Sequence, residues 1–200
     1  MRVINCEQGT EEWLQARCGV PSASMYSKII TTKGQWSKSA QGYIDQLVME
    51  KVTGQPTQFE QNEWMLRGTE LEPDARNLYS FLTDQDVKEV GFCLHDTLST
   101  GASPDGLVGE DGGLEVKCPM PETHLKTLKA QVIPSKYYAQ VMGNLWITGR
   151  KWWDFMSYCP DEDVFITRIE RDEDYIAALE KHLTKAVQLI EEGVQAFEEI

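Results

Sequence analysis

The sequence lacks paired cysteines, long apolar runs and an excess of positive charge, and each absence excludes a class of protein. Its five cysteines are scattered without a CxxC pair, which argues against a disulfide framework or a cysteine-rich zinc site and suits a reducing compartment. No apolar run approaches the roughly 20 residues of a membrane span. The N-terminal stretch MRVINCEQGTEEW also lacks the features of a signal peptide. We therefore expect a cytoplasmic protein without a membrane partner.

Positive charge is scarce in this chain. Its 19 Lys and Arg residues face 32 Asp and Glu residues, which gives a formal net charge of −13. This balance by itself does not favour binding to nucleic acid. Any DNA binding would have to depend on a local basic surface, on metal ions, or on both.

The 200 residues have the composition of one ordinary globular domain, which we expect to span residues 1–200. Apolar spacing predicts a long C-terminal helix and five others, near 10–17, 23–30, 39–53, 62–82 and 135–148. Thr10 and Ser22 are expected to cap the first two helices. Gly54 should end the third helix, and Pro73 should kink or divide the fourth.

The middle of the chain is β-prone. Short runs rich in strand-forming residues lie at 87–94, 98–104, 106–109, 113–119, 151–158 and 164–171. The turn sequence Glu110–Gly113 is expected to join two of them as a hairpin. Helices flanking a central mixed β-sheet, an α/β (α+β) fold, are the simplest architecture for this order of elements.

Chemistry-bearing residues stand on both sides of the predicted hairpin turn. Ser103-Pro104-Asp105-Gly106 is followed, after eight residues, by Glu115-Val116-Lys117. The turn would place Lys117 roughly opposite Gly106. Because side chains alternate along a strand, Glu115 and Lys117 should project to the same face. The pattern therefore predicts two carboxylates and one ammonium group at one end of the hairpin.

This set of groups is suited to phosphodiester hydrolysis. Asp105 and Glu115 offer the hard oxygen ligands that Mg²⁺ prefers, and the Val116 carbonyl is a candidate further ligand. A bound metal would neutralise charge in the transition state and acidify a water. Lys117 could orient or deprotonate that nucleophile. Taken singly, Asp-Gly is also a common turn dipeptide and Glu-x-Lys a common strand pattern.

The segment SPDG…LEVKCP resembles the PD-(D/E)xK nuclease signature in the form shown by phage lambda exonuclease and the YqaJ-like viral recombinases. Other blocks that look like those of the family follow in the same order over about residues 10–175. They are Trp13…Arg17-x-Gly19-Val20-x-Ser22-Ala23-Ser24, Gly68-x-x-x-Glu72 with Ala75-Arg76, Tyr137-x-Ala139-Gln140-Val141 with Trp146, and Ile169-Glu170-Arg171-Asp172.

The resemblance implies a restriction-endonuclease-like fold and Mg²⁺-dependent, processive 5′→3′ degradation of one strand of duplex DNA from its ends. It also implies two Mg²⁺ ions with Mn²⁺ as a substitute, a ring-shaped homotrimer around the DNA, and a phage or prophage origin. A single-strand annealing protein of the same phage-type recombination system would be its partner. Two alternatives stay open, an endonuclease on the same core and a non-catalytic recombination subunit.

Carried over to this sequence, the resemblance makes Asp105 and Glu115 metal ligands and Lys117 the residue that positions or activates the water. Glu72 becomes a further acidic ligand, although an ion pair with Arg76 at i+4 would also explain it. Gln140 and Tyr137 are expected to point towards the site from one helical face, with ordinary helix packing as the alternative.

Arg17 and Ser24 match the positions that hold a 5′-phosphate in the family, and Ser103 is a further candidate contact. Arginine can donate two parallel hydrogen bonds to a phosphate. Ser24 should lie in a first helical turn, where free N–H groups favour anions. A surface arginine and a capping serine are the structural alternative. A ring around DNA needs little diffuse positive charge, so we expect a channel less acidic than the outer surface. Its candidate phosphate contacts are Lys28, Lys33, Lys38 and Lys136.

Overall fold

The computed structural model describes residues 1–57 and 63–199. Its strands are β1 (Arg2–Ile4), β2 (Val87–Lys88), β3 (Phe92–Leu94), β4 (Gly101–Ala102), β5 (Gly106–Val108), β6 (Gly112–Lys117), β7 (Trp152–Ser157) and β8 (Phe165–Glu170). Its α-helices are α1 (Glu11–Arg17), α2 (Ala40–Thr53), α3 (Glu63–Thr83), α4 (Pro121–Ala130), α5 (Tyr138–Thr148) and α6 (Glu173–Glu198). Two short 3-10 helices cover Ala23–Lys28 and Ser135–Tyr137. Within the described ranges, no helix combines the length and apolarity needed to cross a membrane.

A five-stranded mixed sheet lies at the centre, in the order β2-β5-β6-β7-β8. Strands β6 and β7 run parallel, and the other neighbours in this sheet are antiparallel. A second, three-stranded antiparallel sheet has the order β1-β3-β4. The predicted architecture of helices flanking a central mixed sheet is confirmed.

The two faces of the central sheet are covered by different helices. On one face, Ala75 and Tyr79 of α3 pack with Leu114 and Val116 of β6. On the other face, a larger core joins Trp153 of β7 to apolar residues of α2, α5 and α6. Because strand side chains alternate, Glu115 and Lys117 project to the α5 face, opposite Leu114 and Val116.

The β5–β6 hairpin forms, but its predicted register is wrong. Gly106 lies opposite Leu114 rather than Lys117, and the turn comprises residues 109–111, with Gly109 at φ +51°. The predicted turn residues Gly112 and Gly113 belong to the strand. The reason is packing, because a Cβ on Gly112 or Gly113 would lie 2.1 Å or 2.3 Å from the rings of Trp152 and Trp153.

Other predicted boundaries also need correction. Residues 23–30 form a six-residue 3-10 helix over 23–28, and the Ser22 side chain does not cap it. The strand predicted at 87–94 is two strands in different sheets, separated at Gly91, where a Cβ would lie 2.4 Å from the Ile4 carbonyl oxygen. The run at 98–104 contributes only Gly101–Ala102.

The helical predictions were right in part. Thr10 caps α1 and Gly54 ends α2 in the left-handed conformation. Helix α3 contains Pro73 and is not divided there, while position 62 of its predicted range lies outside the described residues. The helix predicted at 135–148 is a 3-10 turn followed by α5. Strand β1 and helix α4 have no counterpart among the elements predicted from the sequence.

We predict that Gly113→Ala destabilises the protein by about 1–3 kcal/mol, because its methyl group would overpack against the buried Trp153 ring. Gly42→Ala is the matched control, since Gly42 is an exposed helical glycine with open space around it. The control should gain up to about 1 kcal/mol. Urea unfolding measures both changes, and equal stability of the two variants would contradict the role assigned to Gly113.

Candidate active site

The carboxylate of Asp105 stands at the start of β5, beside the end of β6. Its Oδ2 atom accepts a hydrogen bond of 2.6 Å from the backbone N–H of Val116. The N–H and C=O groups of one strand residue project from the same edge of the strand. The Val116 carbonyl therefore lies on the Asp105 side of β6, where it was predicted to supply an oxygen ligand.

Glu115 lies at the centre of the group and is fully buried. Its Oε1 atom accepts from Gln140 Nε2 at 2.5 Å and forms an ion pair with Lys117 Nζ. Its Oε2 atom accepts from Asn144 Nδ2 at 2.9 Å. The structure thus brings Glu115, Lys117 and Gln140 together, as the sequence analysis expected.

Lys117 and Tyr137 form the wall of the group on the α5 side. The Lys117 ammonium lies 5.4 Å from the centre of the Tyr137 ring, and Lys136 Nζ lies 4.7 Å from the same ring. Tyr137 stands at the junction before α5 and also packs on Phe155 at 5.5 Å. Its ring therefore reaches the site as expected, from the end of a 3-10 turn.

Glu72 approaches from α3, on the other face of the sheet. It forms the ion pair with Arg76 that the i+4 spacing suggested, and Arg76 Nη2 also donates to Glu89 at 2.8 Å. Glu72 and Asp105 line the same cleft of about 1160 Å³. Glu72 is close enough to Asp105 for the two charges to interact.

The acidic residues of the site destabilise one another's charged forms. Burial, and then the Asp105 charge, raise the pKa of Glu115 to about 7 against the opposing effect of Lys117. The same two causes raise the pKa of Glu72 to about 7 against the effect of Arg76. Burial also raises the pKa of Asp105, although part of its surface stays open to the cleft. Burial by itself would lower the pKa of Lys117. The charges of Glu115 and Asp105 raise this pKa by more than burial lowers it, so the net shift is upward.

The residues predicted to hold a phosphate form a second group nearby. Arg17 Nη2 donates to Ser22 Oγ at 3.1 Å and to Ser24 Oγ at 3.4 Å. Arg17 Nε is buried without a hydrogen-bond partner, and the Glu50 charge acts on the guanidinium. Ser24 does not lie in the first turn of an α-helix as predicted, because residues 23–28 form a single short 3-10 segment. The contact with Arg17 still places its exposed hydroxyl in the group.

Trp13 connects the two groups. The Arg17 guanidinium lies 4.0 Å from the centre of the Trp13 ring, while the Trp13 indole N–H donates to Ser103 Oγ at 2.8 Å. Gln8 Nε2 donates to the carbonyl of Pro104 at 2.8 Å and to that of Val90 at 2.9 Å. The segment that carries Asp105 is therefore held from the N-terminal side by two residues.

Several members of these two groups were not among the site residues predicted from the sequence. Trp13 was noticed only as part of a resembling block, Ser22 only there and as a candidate helix cap, and Gln8 and Asn144 were not singled out. One signal for Asn144 was available, because it lies four residues after Gln140 and so on the same helical face. For Gln8, whose partner Pro104 is 96 residues away, the sequence contains no comparable signal.

The contribution of Glu72 to the stability of the metal-free protein should fall as the pH rises from about 4.5 to about 7, because burial and the Asp105 charge raise the pKa of Glu72 in the folded state to about 7. In this window the folded state binds more protons at Glu72 than the unfolded state does, so the unfolding free energy falls with pH. Glu72→Gln removes this contribution. In EDTA at pH 8 we expect it to exceed the wild type in stability by on the order of 1 kcal/mol, and to show no such gain at pH 4.5.

Glu122→Gln is the control, since Glu122 is exposed on α4 and the hydrogen bond from Lys126 lowers its pKa. This control should gain no stability over the wild type as the pH rises. Urea unfolding at several pH values measures both variants. A difference between Glu72→Gln and the wild type that does not change with pH would contradict the electrostatic description of the site.

Comparisons with known proteins place this geometry in a family. The chain matches the model of the YqaJ-like viral recombinase domain over residues 12–151. It is similar to the crystal structure of an alkaline exonuclease, LHK-Exo, from Laribacter hongkongensis, with 38% sequence identity and a TM-score of 0.87. That match covers 95% of this chain and 97% of that chain, and the same values hold for the complex of LHK-Exo with dAMP.

A phage related exonuclease from Haemophilus somnus 129PT shares the fold at 16% identity, with a TM-score of 0.68 and coverage of 90% of this chain and 96% of that chain. No curated protein gives a significant match. The expected restriction-endonuclease-like nuclease fold is confirmed by these structures. On the family match and the 38% identity, the chain belongs to the YqaJ-like viral recombinase family.

Proposed function

We propose that this protein is a divalent-metal-dependent exodeoxyribonuclease that degrades duplex DNA from its ends in recombination. The observation that carries the proposal is the meeting of Asp105, Glu115 and Lys117 at the end of the β5–β6 hairpin. Membership of a recombinase family and the similarity to an alkaline exonuclease over 95% of the chain also support it.

The proposal includes the finer expectations drawn from the sequence. They are 5′→3′ polarity, degradation of one strand, processivity, a homotrimer around the DNA, a single-strand annealing protein as partner, and a single nuclease domain acting in the cytoplasm of a phage-carrying host. Closed circular duplex DNA distinguishes the proposed exonuclease from an endonuclease. An enzyme that requires DNA ends leaves this substrate intact, whereas an endonuclease cleaves it. The alternative of a non-catalytic subunit requires the wild type to cleave no DNA.

The donor set of the site suits a divalent cation. When all are ionised, three carboxylates of Glu72, Asp105 and Glu115 face the two cations Lys117 and Arg76, and Arg76 is shared with Glu89. The site therefore carries excess negative charge in a buried position, where added positive charge is favoured. No three acidic, His or Cys side chains within the described ranges form a ready metal cage. Mg²⁺ does not require one, because it retains several waters and is often held by one or two carboxylates.

Asp105, Glu115 and the Val116 carbonyl would hold the first Mg²⁺ ion, and Glu72 would contribute to the second. Mn²⁺ has the same preference for oxygen and could replace either ion. When bound, the metal supplies positive charge to the scissile phosphate and an acidified water.

The other residues of the site position the reacting groups. Lys117 presents an ammonium group beside Glu115, where it can donate to a water nucleophile and stabilise the charge that develops on the phosphate. Gln140 holds Oε1 of Glu115 from α5 and so limits the directions in which this carboxylate can turn. The Val116 N–H does the same for Asp105.

The group around Arg17 is proposed to hold the 5′-phosphate. A half-buried guanidinium with an unpartnered Nε atom and two serine hydroxyls is suited to an anion. Because Trp13 links Arg17 to Ser103, two residues before Asp105, the phosphate would be held at a fixed offset from the cleavage site. This arrangement would let the protein recognise the end of a strand.

The lysines proposed as further phosphate contacts differ in their surroundings. Lys136 stands over Tyr137 at the edge of the site. Lys28 and Lys38 line a groove of about 390 Å³ beside Ser39 at the start of α2. Lys33 is exposed in the loop before Gly34. If these lysines contact DNA, their substitution should reduce the salt dependence of binding.

Asp105→Asn should abolish Mg²⁺-dependent degradation of linear duplex DNA, with a loss of at least about 100-fold. A metal ion contributes several kcal/mol to such a reaction, and each 1.4 kcal/mol is tenfold in rate. Mg²⁺ should raise the melting temperature of the wild type, because it binds only the folded state, but not that of Asp105→Asn. Asp45→Asn, an exposed change on α2, is the control for both measurements. Full activity of Asp105→Asn would refute the assignment.

Arg17→Lys should reduce the preference for 5′-phosphorylated over 5′-hydroxyl duplex ends by about 10- to 100-fold, because lysine keeps the charge but loses the two-pronged grip. Initial rates on the two kinds of end measure this ratio. Arg2→Lys, at an exposed position in β1, should leave the ratio unchanged. A wild type that is indifferent to the phosphate would leave Arg17 without the proposed role.

A further inference from the structure

Asn144 is a fully buried polar residue in contact with the proposed metal ligand. It lies on α5 one helical turn after Gln140, so both side chains face the same strand. The two amides donate to different oxygen atoms of the Glu115 carboxylate. Gln140 Nε2 donates to Oε1 at 2.5 Å, and Asn144 Nδ2 donates to Oε2 at 2.9 Å.

The hydrogen bonds to Glu115 can be counted atom by atom. An ionised carboxylate has about four acceptor positions, two on each oxygen. Lys117 and Gln140 occupy both positions on Oε1, whereas Asn144 occupies one position on Oε2. The acceptor position that remains is therefore on Oε2, the oxygen that Asn144 holds.

The oxygen atom of the Asn144 amide is in an unfavourable environment. This Oδ1 atom is buried and has no hydrogen-bond partner in the described chain, and an unpaired buried acceptor of this kind lowers the stability of the folded state. Turning the amide around would not help, because it would place Oδ1 against Glu115 Oε2, where two acceptors would meet. An alanine would remove this unpaired atom, but it would also leave Oε2 of the buried Glu115 without its donor. The asparagine is therefore explained by its contact with the carboxylate and not by its own packing.

We propose that Asn144 is a positioning residue that holds Glu115 Oε2 so that its remaining acceptor position is presented to the divalent cation. This inference rests on the proposed function and deepens it. Without the Asn144 amide, only the Oε1 side of the carboxylate is fixed, and Oε2 can turn away from the cation. Outer contacts of this kind typically change metal affinity by about 10- to 100-fold.

The experiment measures cation binding directly, with Mn²⁺ as the probe and the electron paramagnetic resonance signal of free Mn²⁺ as the readout. Asn144→Ala should weaken Mn²⁺ binding by about 10- to 100-fold. Asn144→Ser should show the same loss, because the serine side chain is too short for its hydroxyl to reach Glu115. If the alanine variant does not fold, this polar variant provides the test. Asn77→Ala, an exposed change on α3, should bind Mn²⁺ like the wild type.

Nuclease assays provide a second readout that a purely structural role would not change. In both Asn144 variants the Mg²⁺ concentration for half-maximal activity should rise by the same factor, while kcat at saturating Mg²⁺ recovers and KM for DNA stays constant. A folded Asn144 variant that binds Mn²⁺ with wild-type affinity overturns the inference and leaves the proposed function intact. A wild type that binds no divalent cation overturns both.

Discussion

The site depends on one physical constraint, the burial of the Glu115 carboxylate. A charged group without solvent must be matched by donors and cations, and this one is matched from several directions. Lys117 approaches along the same strand, while Gln140 and Asn144 approach from α5. The packing of α5 over the β6 strand is therefore set by polar contacts as well as by the apolar core. A shift of the helix by one residue would remove both amides from the carboxylate.

The same burial explains why the site is unfavourable for stability. Asp105 and Glu115 repel each other, and Glu72 adds a third charge from α3 on the opposite face of the sheet. This repulsion persists in the folded state because the surrounding sheet leaves the carboxylates little freedom to move apart. Strained or uncompensated groups of this kind are common where a protein binds a ligand. A divalent cation would compensate the charge that the chain itself leaves unmatched.

A net charge of −13 and a DNA substrate are compatible in this arrangement. The cationic groups proposed to contact DNA are few and local: Arg17 beside two serines, Lys117 in the site, and Lys136 over Tyr137. Trp13 joins the first of these to the segment of Asp105 through Ser103. Recognition of a strand end and its cleavage would then depend on one rigid segment, not on diffuse attraction to the phosphate backbone.

The sequence by itself determined the main elements, the face shared by Glu115 and Lys117, and the family, because strand alternation and short motifs are local properties. It did not determine the hairpin register. In the sequence, Gly112 and Gly113 have the appearance of turn residues. In the structure they are strand residues without side chains because the rings of Trp152 and Trp153, about 40 residues later in the chain, occupy that space. Likewise, only the tertiary structure decided that Asn144 meets Glu115, that Gln8 holds the Pro104 carbonyl, and that Trp13 joins the two groups. These contacts link residues far apart in sequence, and the packing of helices on the sheet, which no local pattern encodes, brings them together.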